Sequence, residues 1–159
     1  TDVLRKSTTQ LIANDALKMT LMIHDNTLED SLQSALKKYA RADFLALQNK
    51  DTQAIEVLSE ILTTHKGEKI EDEALLKQAE LFEKTKQYKK AEANYLKIIS
   101  LYKDEILADD AYFNLANLYE HQLQDPQKAK EYYEQIVFDF ADSIYFIQSR
   151  KKYRMLRGR

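Results

Sequence analysis

The sequence predicts an all-α fold: an α-solenoid of antiparallel helix pairs, about eight helices in all. Three observations carry this prediction. The 159 residues include only two Gly and one Pro, too few turn formers for a β-rich chain. The stretch "DEALLKQAELFE" at 72 returns at 109 as "DDAYFNLANLYE", with Asp, Ala, Ala, Leu and Glu kept and Phe82 becoming Tyr119. Between these copies, the apolar residues follow helical rather than strand spacing.

The repeat has two halves. In the first helix of each unit, Ala42/Leu45, Ala79/Phe82 and Ala116/Tyr119 recur at steps of 37 residues. In the second, Ala54/Leu58/Ile61, Ala91/Tyr95/Ile98 and Ala129/Tyr133/Ile136 recur at 37 and then 38, the extra residue lying in "HQLQDP". Spacing of i, i+4, i+7 puts each trio on one face of an amphipathic helix. One helix pair cannot bury both of its apolar faces, so stacked copies must repeat small and large residues at matching places. Alanines mark close backbone approach and aromatics fill the space beside them. Enlarging Ala79 or Ala116 to Leu is therefore expected to cost roughly 1–3 kcal/mol.

Boundary residues agree with this division. Asp125-Pro126 reads as an N-cap followed by Pro at the first helical position. Asp72 and Asp109 are acidic helix starts, favoured by the macrodipole. Asp142 and Ser143 offer a start for a last helix, "SIYFIQSRKKYRML", whose stripe of Phe146, Ser149, Tyr153 and Leu156 is expected to cap the array. The expected organisation is a single array over 1–159: a partial preceding unit and connector at 1–34, repeats at 35–68, 72–105 and 109–142, and a capping helix at 143–159. The N-terminal third is less regular. "NDALKMTLMI" resembles the repeat starts, yet Leu17 and Leu21 fall 37 residues before Ala54 and Leu58. The second register is adopted, with a back helix near 11–24, a break at "HDNTLED" and a long helix from about Leu28 to Lys50.

Charge and composition narrow the function. Of 24 basic side chains, six lie in 143–159, which holds none of the 26 acidic ones, so residues 1–142 carry a net −8. The body is acidic and the end basic. Apolar runs are too short to cross a bilayer, and the absence of Cys removes disulfides and thiolate chemistry. The chain opens "TDVLRKSTTQ" without Met, and Thr1 reads as the start of a C-terminal fragment of a longer protein. His24, His65 and His121 are far apart and lack the i, i+4 spacing of a helical zinc site. No Gly-rich loop cradles phosphate, and no Ser, His and Asp form a recognisable set. The expectation is a non-enzyme without cofactor or metal.

The pattern Ala–x2–aromatic, then Ala–x3–aromatic–x2–apolar, resembles the tetratricopeptide repeat family over about residues 35–142. Ala42, Ala54, Ala79, Phe82, Ala91, Tyr95, Ala116, Tyr119, Ala129 and Tyr133 carry it. The period exceeds that family's usual thirty-four residues, and its common Pro after the second helix is here Lys66, Lys103 and Ala141. The long connectors "GEKIEDEA" and "DEILADDA" look like a bacterial subclass of envelope-assembly lipoproteins and multi-repeat arrays. That likeness favours periplasm or envelope, with cytoplasm as the alternative.

The resemblance implies a right-handed superhelix whose first helices line a concave groove. Its family positions map here onto Tyr39, Asp43, Glu73, Leu76, Glu80, Glu83, Asp110, Phe113, Asn117 and Glu120, six of them acidic. The implied function is a protein–protein interaction scaffold that takes a basic or amphipathic peptide, with Tyr39 and Phe113 as apolar anchors. The family's carboxylate clamp is only hinted at by Asn114 and Asn117, which disfavours a chaperone-tail adaptor. Against the groove reading, the acids could serve only to solvate a helical surface. A structural or oligomerising module, its groove filled by its own chain or another copy, is the alternative. Contact of the basic end with nucleic acid or an anionic membrane is a remote one, since the acidic body repels polyphosphate.

Overall fold

The computed structural model describes residues 30–158. Among these, seven helices follow one another without a strand: α1 (Asp30–Leu47), α2 (Asp51–Thr64), α3 (Glu71–Lys84), α4 (Tyr88–Leu101), α5 (Ala108–His121), α6 (Pro126–Asp139) and α7 (Phe146–Arg157). Each packs chiefly on its neighbours in sequence, so the molecule is an open stack, an α-solenoid. The back helix expected near 11–24 lies outside the described residues. The long helix expected over 28–50 is described from Asp30 and stops at Leu47, where Asn49 turns the chain at φ 61°.

The turn inside each pair is the same device. Asn49, Lys86 and Gln124 all adopt positive φ, at matching places in the period. Past the first two, the amides of Lys50 and Gln87 reach back five residues to the carbonyls of Leu45 and Phe82, a Schellman-type close. The third spans six residues, Asp125 to Tyr119, and absorbs the one inserted residue. Asp125 then caps α6, accepting the Lys128 amide at 3.0 Å ahead of Pro126.

The connectors between pairs also repeat. Glu68 bonds back to His65 and Glu71 to Glu68; Glu105 to Tyr102 and Ala108 to Glu105; Ser143 to Phe140 and Phe146 to Ser143. The last of these corrects the expected start of the final helix. Ser143 to Tyr145 form a third copy of the connector, and α7 begins only at Phe146. Helix α7 therefore occupies the place of a first helix.

Burial follows the pattern. Ala42, Ala54, Ala79, Ala91, Ala116, Ala129, Tyr95 and Tyr133 are fully enclosed, and Phe82 and Tyr119 nearly so. One cluster joins α1, α2 and the near side of α3 through Ala74 and Leu81. The other runs from Leu75, Ala79 and Phe82 through α4, α5 and α6 to Leu156 of α7. Ile55 and Leu62 touch both. Helix α3 thus has two apolar sides, one facing back through Ala74 and Leu81 and one facing forward through Leu75, Ala79 and Phe82. Polar side chains stitch the seam as well: Gln78 donates to Ser59 Oγ at 2.8 Å and to the Ile55 carbonyl, and its own oxygen accepts from Asn94 at 2.8 Å.

Candidate binding groove

Side-chain contacts place the first helices beside one another. Lys77 of α3 pairs with Asp43 of α1 at 2.8 Å. Glu80 of α3 feels Asp110 of α5, and Lys152 of α7 reaches Glu120 of α5 at 3.2 Å. The surface that results brings Asp43, Glu80, Glu83 and Asp110 into one electrostatic neighbourhood.

Glu80 is its centre. The side chain opens to solvent, yet the protein around it thins the hydration of its carboxylate. This partial desolvation, with repulsion from Asp110 and Glu83, outweighs Lys77 and pushes its pKa up to about 7. Glu83 is half-buried and accepts a hydrogen bond from the Tyr95 hydroxyl. Burial raises its carboxyl while that bond works the other way. Glu120 accepts from Tyr133 at 2.9 Å and pairs with Lys152. Burial alone would raise it, but these two donors hold it below the ordinary carboxylate value.

Several expected groove residues have other partners. Tyr39 is corrected as an exposed anchor: it is 5% exposed, part of the α1–α2 core, and burial raises its hydroxyl pKa. Phe113 lies half-buried with one ring face stacked on Tyr145 at 4.3 Å and its edge against Tyr133. Glu73 and Asp110 are buried in the first turns of α3 and α5, where Asp110 accepts the Tyr145 hydroxyl at 2.6 Å. Asn117 donates to the Phe113 carbonyl of its own helix. Leu76 remains half-exposed beside Glu80. The face that is open thus centres on Leu76, Glu80 and the outer part of Asp43.

Lys77, Lys152 and Tyr145 were not singled out from the sequence. A signal was there: Lys77, Asn114 and Lys152 share one place in the period, and each reaches back to the preceding pair. Asn114 does so by bonding the Tyr95 hydroxyl.

A Ser–His–Glu group also exists at the first connector, but its geometry is structural. Ser31 Oγ (3.1 Å) and Glu68 (3.1 Å) both meet Nδ1 of buried His65, and Ser31 donates to Glu68 directly. A relay needs the two ring nitrogens to serve different partners. Here one nitrogen serves both, and the group pins the loop to α1.

Comparison with known proteins finds two family matches. Residues 73–104 and 109–137 each match a family model described as tetratricopeptide repeat. No curated protein matches the chain. The repeats of this family mediate protein–protein interaction and are typically non-enzymatic. No described helix is long and apolar enough to cross a membrane. The helix-pair stack and these two matches together support tetratricopeptide repeats at residues 73–104 and 109–137.

Proposed function

We propose that this protein is an interaction scaffold whose first helices receive a basic or amphipathic peptide across α1 and α3. The repeats so read are 35–68, 72–105 and 109–142, with 143–159 closing the array. One observation carries the reading: Glu80 stands open to solvent among Asp43, Glu83 and Asp110, with Lys77 opposing them. A Lys or Arg of a partner would relieve that repulsion, and Leu76 offers apolar contact beside it. Tyr39 no longer serves as an anchor in this account.

Binding of a labelled Lys/Arg-rich amphipathic peptide, followed by fluorescence anisotropy, tests the proposal. Glu80→Lys and Leu76→Asp should each weaken it several-fold. Glu83 is left intact, because its loss would strand the buried Tyr95 hydroxyl. Equal affinity for wild type and both variants would remove the idea.

A second reading rests on α7. Its Lys152 takes Glu120, and the connector's Tyr145 covers Phe113, so the chain itself fills the C-terminal part of this surface. The groove would then be a structural element, and no added peptide would bind. The long connectors favour the envelope-assembly subclass.

A further inference from the structure

Helix α7 repeats the position of α3 and α5 but presents a different forward face. Going back, the likeness is close: Ser149 and Leu156 are buried where Ala111 and Leu118, or Ala74 and Leu81, pack on the preceding second helix. Going forward, α3 receives α4 through Leu75, Ala79 and Phe82, and α5 receives α6 through Tyr112, Ala116 and Tyr119. The residues one period later are Arg150, Arg154 and Arg157. All three are exposed, and none enters an ion pair among the described residues. Two are held in place by their own helix: Arg150 lies over the Phe146 ring at 5.6 Å and Arg157 over Tyr153 at 5.5 Å. Beside the stripe, Ile147 is 66% exposed, at the place where α5 carries Asp109.

The geometry points to the forward face of α7 as a docking site for an acidic amphipathic helix of another protein, lying where a second helix lies in each earlier pair. The backbone slot is that of a helix partner, and the spacing i, i+4, i+7 fits one face of such a helix. Charge selects the partner. An apolar helix would have to desolvate three guanidinium groups without compensation, whereas carboxylates at the same spacing can meet them in bidentate pairs. The arginine stems, lying along aromatic rings, lose little freedom when they do so. Ile147 supplies the apolar flank that distinguishes a docked helix from a loose counter-ion. This face is separate from the groove proposed above and has the opposite charge.

The test uses the full chain and a labelled synthetic helix of roughly 20 residues with Glu at i, i+4 and i+7 and Leu alongside. A scrambled peptide of equal composition and phosphatidylserine-containing vesicles are the comparison probes. Saturable binding is expected, at least about tenfold weaker in Arg150→Glu/Arg154→Glu/Arg157→Glu, with the helical circular dichroism unchanged. Ile147→Ser should weaken it several-fold, and Glu80→Lys should leave it unaltered. No saturable binding, equal binding of the scrambled peptide, or binding that survives the triple reversal would overturn the proposal. Vesicle binding without a preference for the ordered peptide would overturn it in favour of a lipid surface, and self-association that blocks the peptide would do so in favour of a second copy.

Discussion

Glu83 and Glu120 occupy the same place in consecutive repeats, and each accepts a hydrogen bond from the tyrosine of its partner helix, Tyr95 or Tyr133. Their acidities nevertheless move in opposite directions. Glu83 is raised, because burial prevails over a single hydroxyl donor. Glu120 is lowered, because Lys152 arrives from the next first helix and adds a cation. At the place corresponding to Lys152, the second repeat meets Asn114, which spends its side chain on Tyr95. In a stack, then, a residue's chemistry is set by the unit that follows as much as by its own. In the first pair the same two places hold Ala46 and Leu58, and both members of the bond are absent together.

The largest effect should come from removing the shared part of this arrangement. Tyr95 and Tyr133 are fully buried, so Tyr95→Ala and Tyr133→Ala should each cost about 3–5 kcal/mol in denaturant unfolding. Taking away only the hydroxyl separates the two repeats. Tyr95→Phe should cost about 1 kcal/mol, since Glu83 loses its hydroxyl donor and Asn114 its partner; Tyr133→Phe should cost less, because Lys152 stays on Glu120. Equal losses would show that Lys152 does not support Glu120.

Smaller still is Lys152→Met, which should make Glu120 resemble Glu83. Its carboxyl should move from below to above the ordinary value of 4.5, read by NMR titration. The sign for stability follows from the lowered native pKa. Glu120's contribution is present above the ordinary value and is lost as pH falls through the native one. In Lys152→Met that acid-sensitive part should vanish, a change of less than about 1 kcal/mol because the pair is partly solvated.

The stack and its interior were legible because they depend on spacing alone. A period of 37 and trios at i, i+4, i+7 fix which faces meet, and Ala54, Ala79, Ala91, Ala116 and Ala129 are enclosed accordingly. The candidate surface was legible only in part. A helical pattern shows that Glu83, Asp110 and Glu120 share a side, but not that hydroxyls of Tyr95, Tyr145 and Tyr133 come to meet them from other helices. Tyr39 was misplaced for a related reason: α1 keeps Tyr39, Ala35 and Leu36 in its core, a side that the later first helices give to Leu76, Asp72 and Glu73. The late start of α7 could have been read by carrying the period forward, since Phe140 to Tyr145 fall where Tyr102 to Leu107 lie.

Glu80 extends the same comparison to a carboxylate whose shift is set by burial and by its charged neighbours. Its native pKa of about 7 lies above the ordinary 4.5, so the folded chain holds a proton that the unfolded chain releases earlier. Stability from this group is therefore full below pH 4.5 and declines as pH rises toward 7. Glu80→Gln should match wild type near pH 4 and exceed it at pH 8, by less than about 1 kcal/mol given the solvent access of the side chain. Binding of a basic peptide should run the other way and strengthen through the same interval, because the partner's cation favours the ionised form. A stability difference that does not change with pH would mean that Glu80 is held by contacts of its amide-like shape and not by its charge.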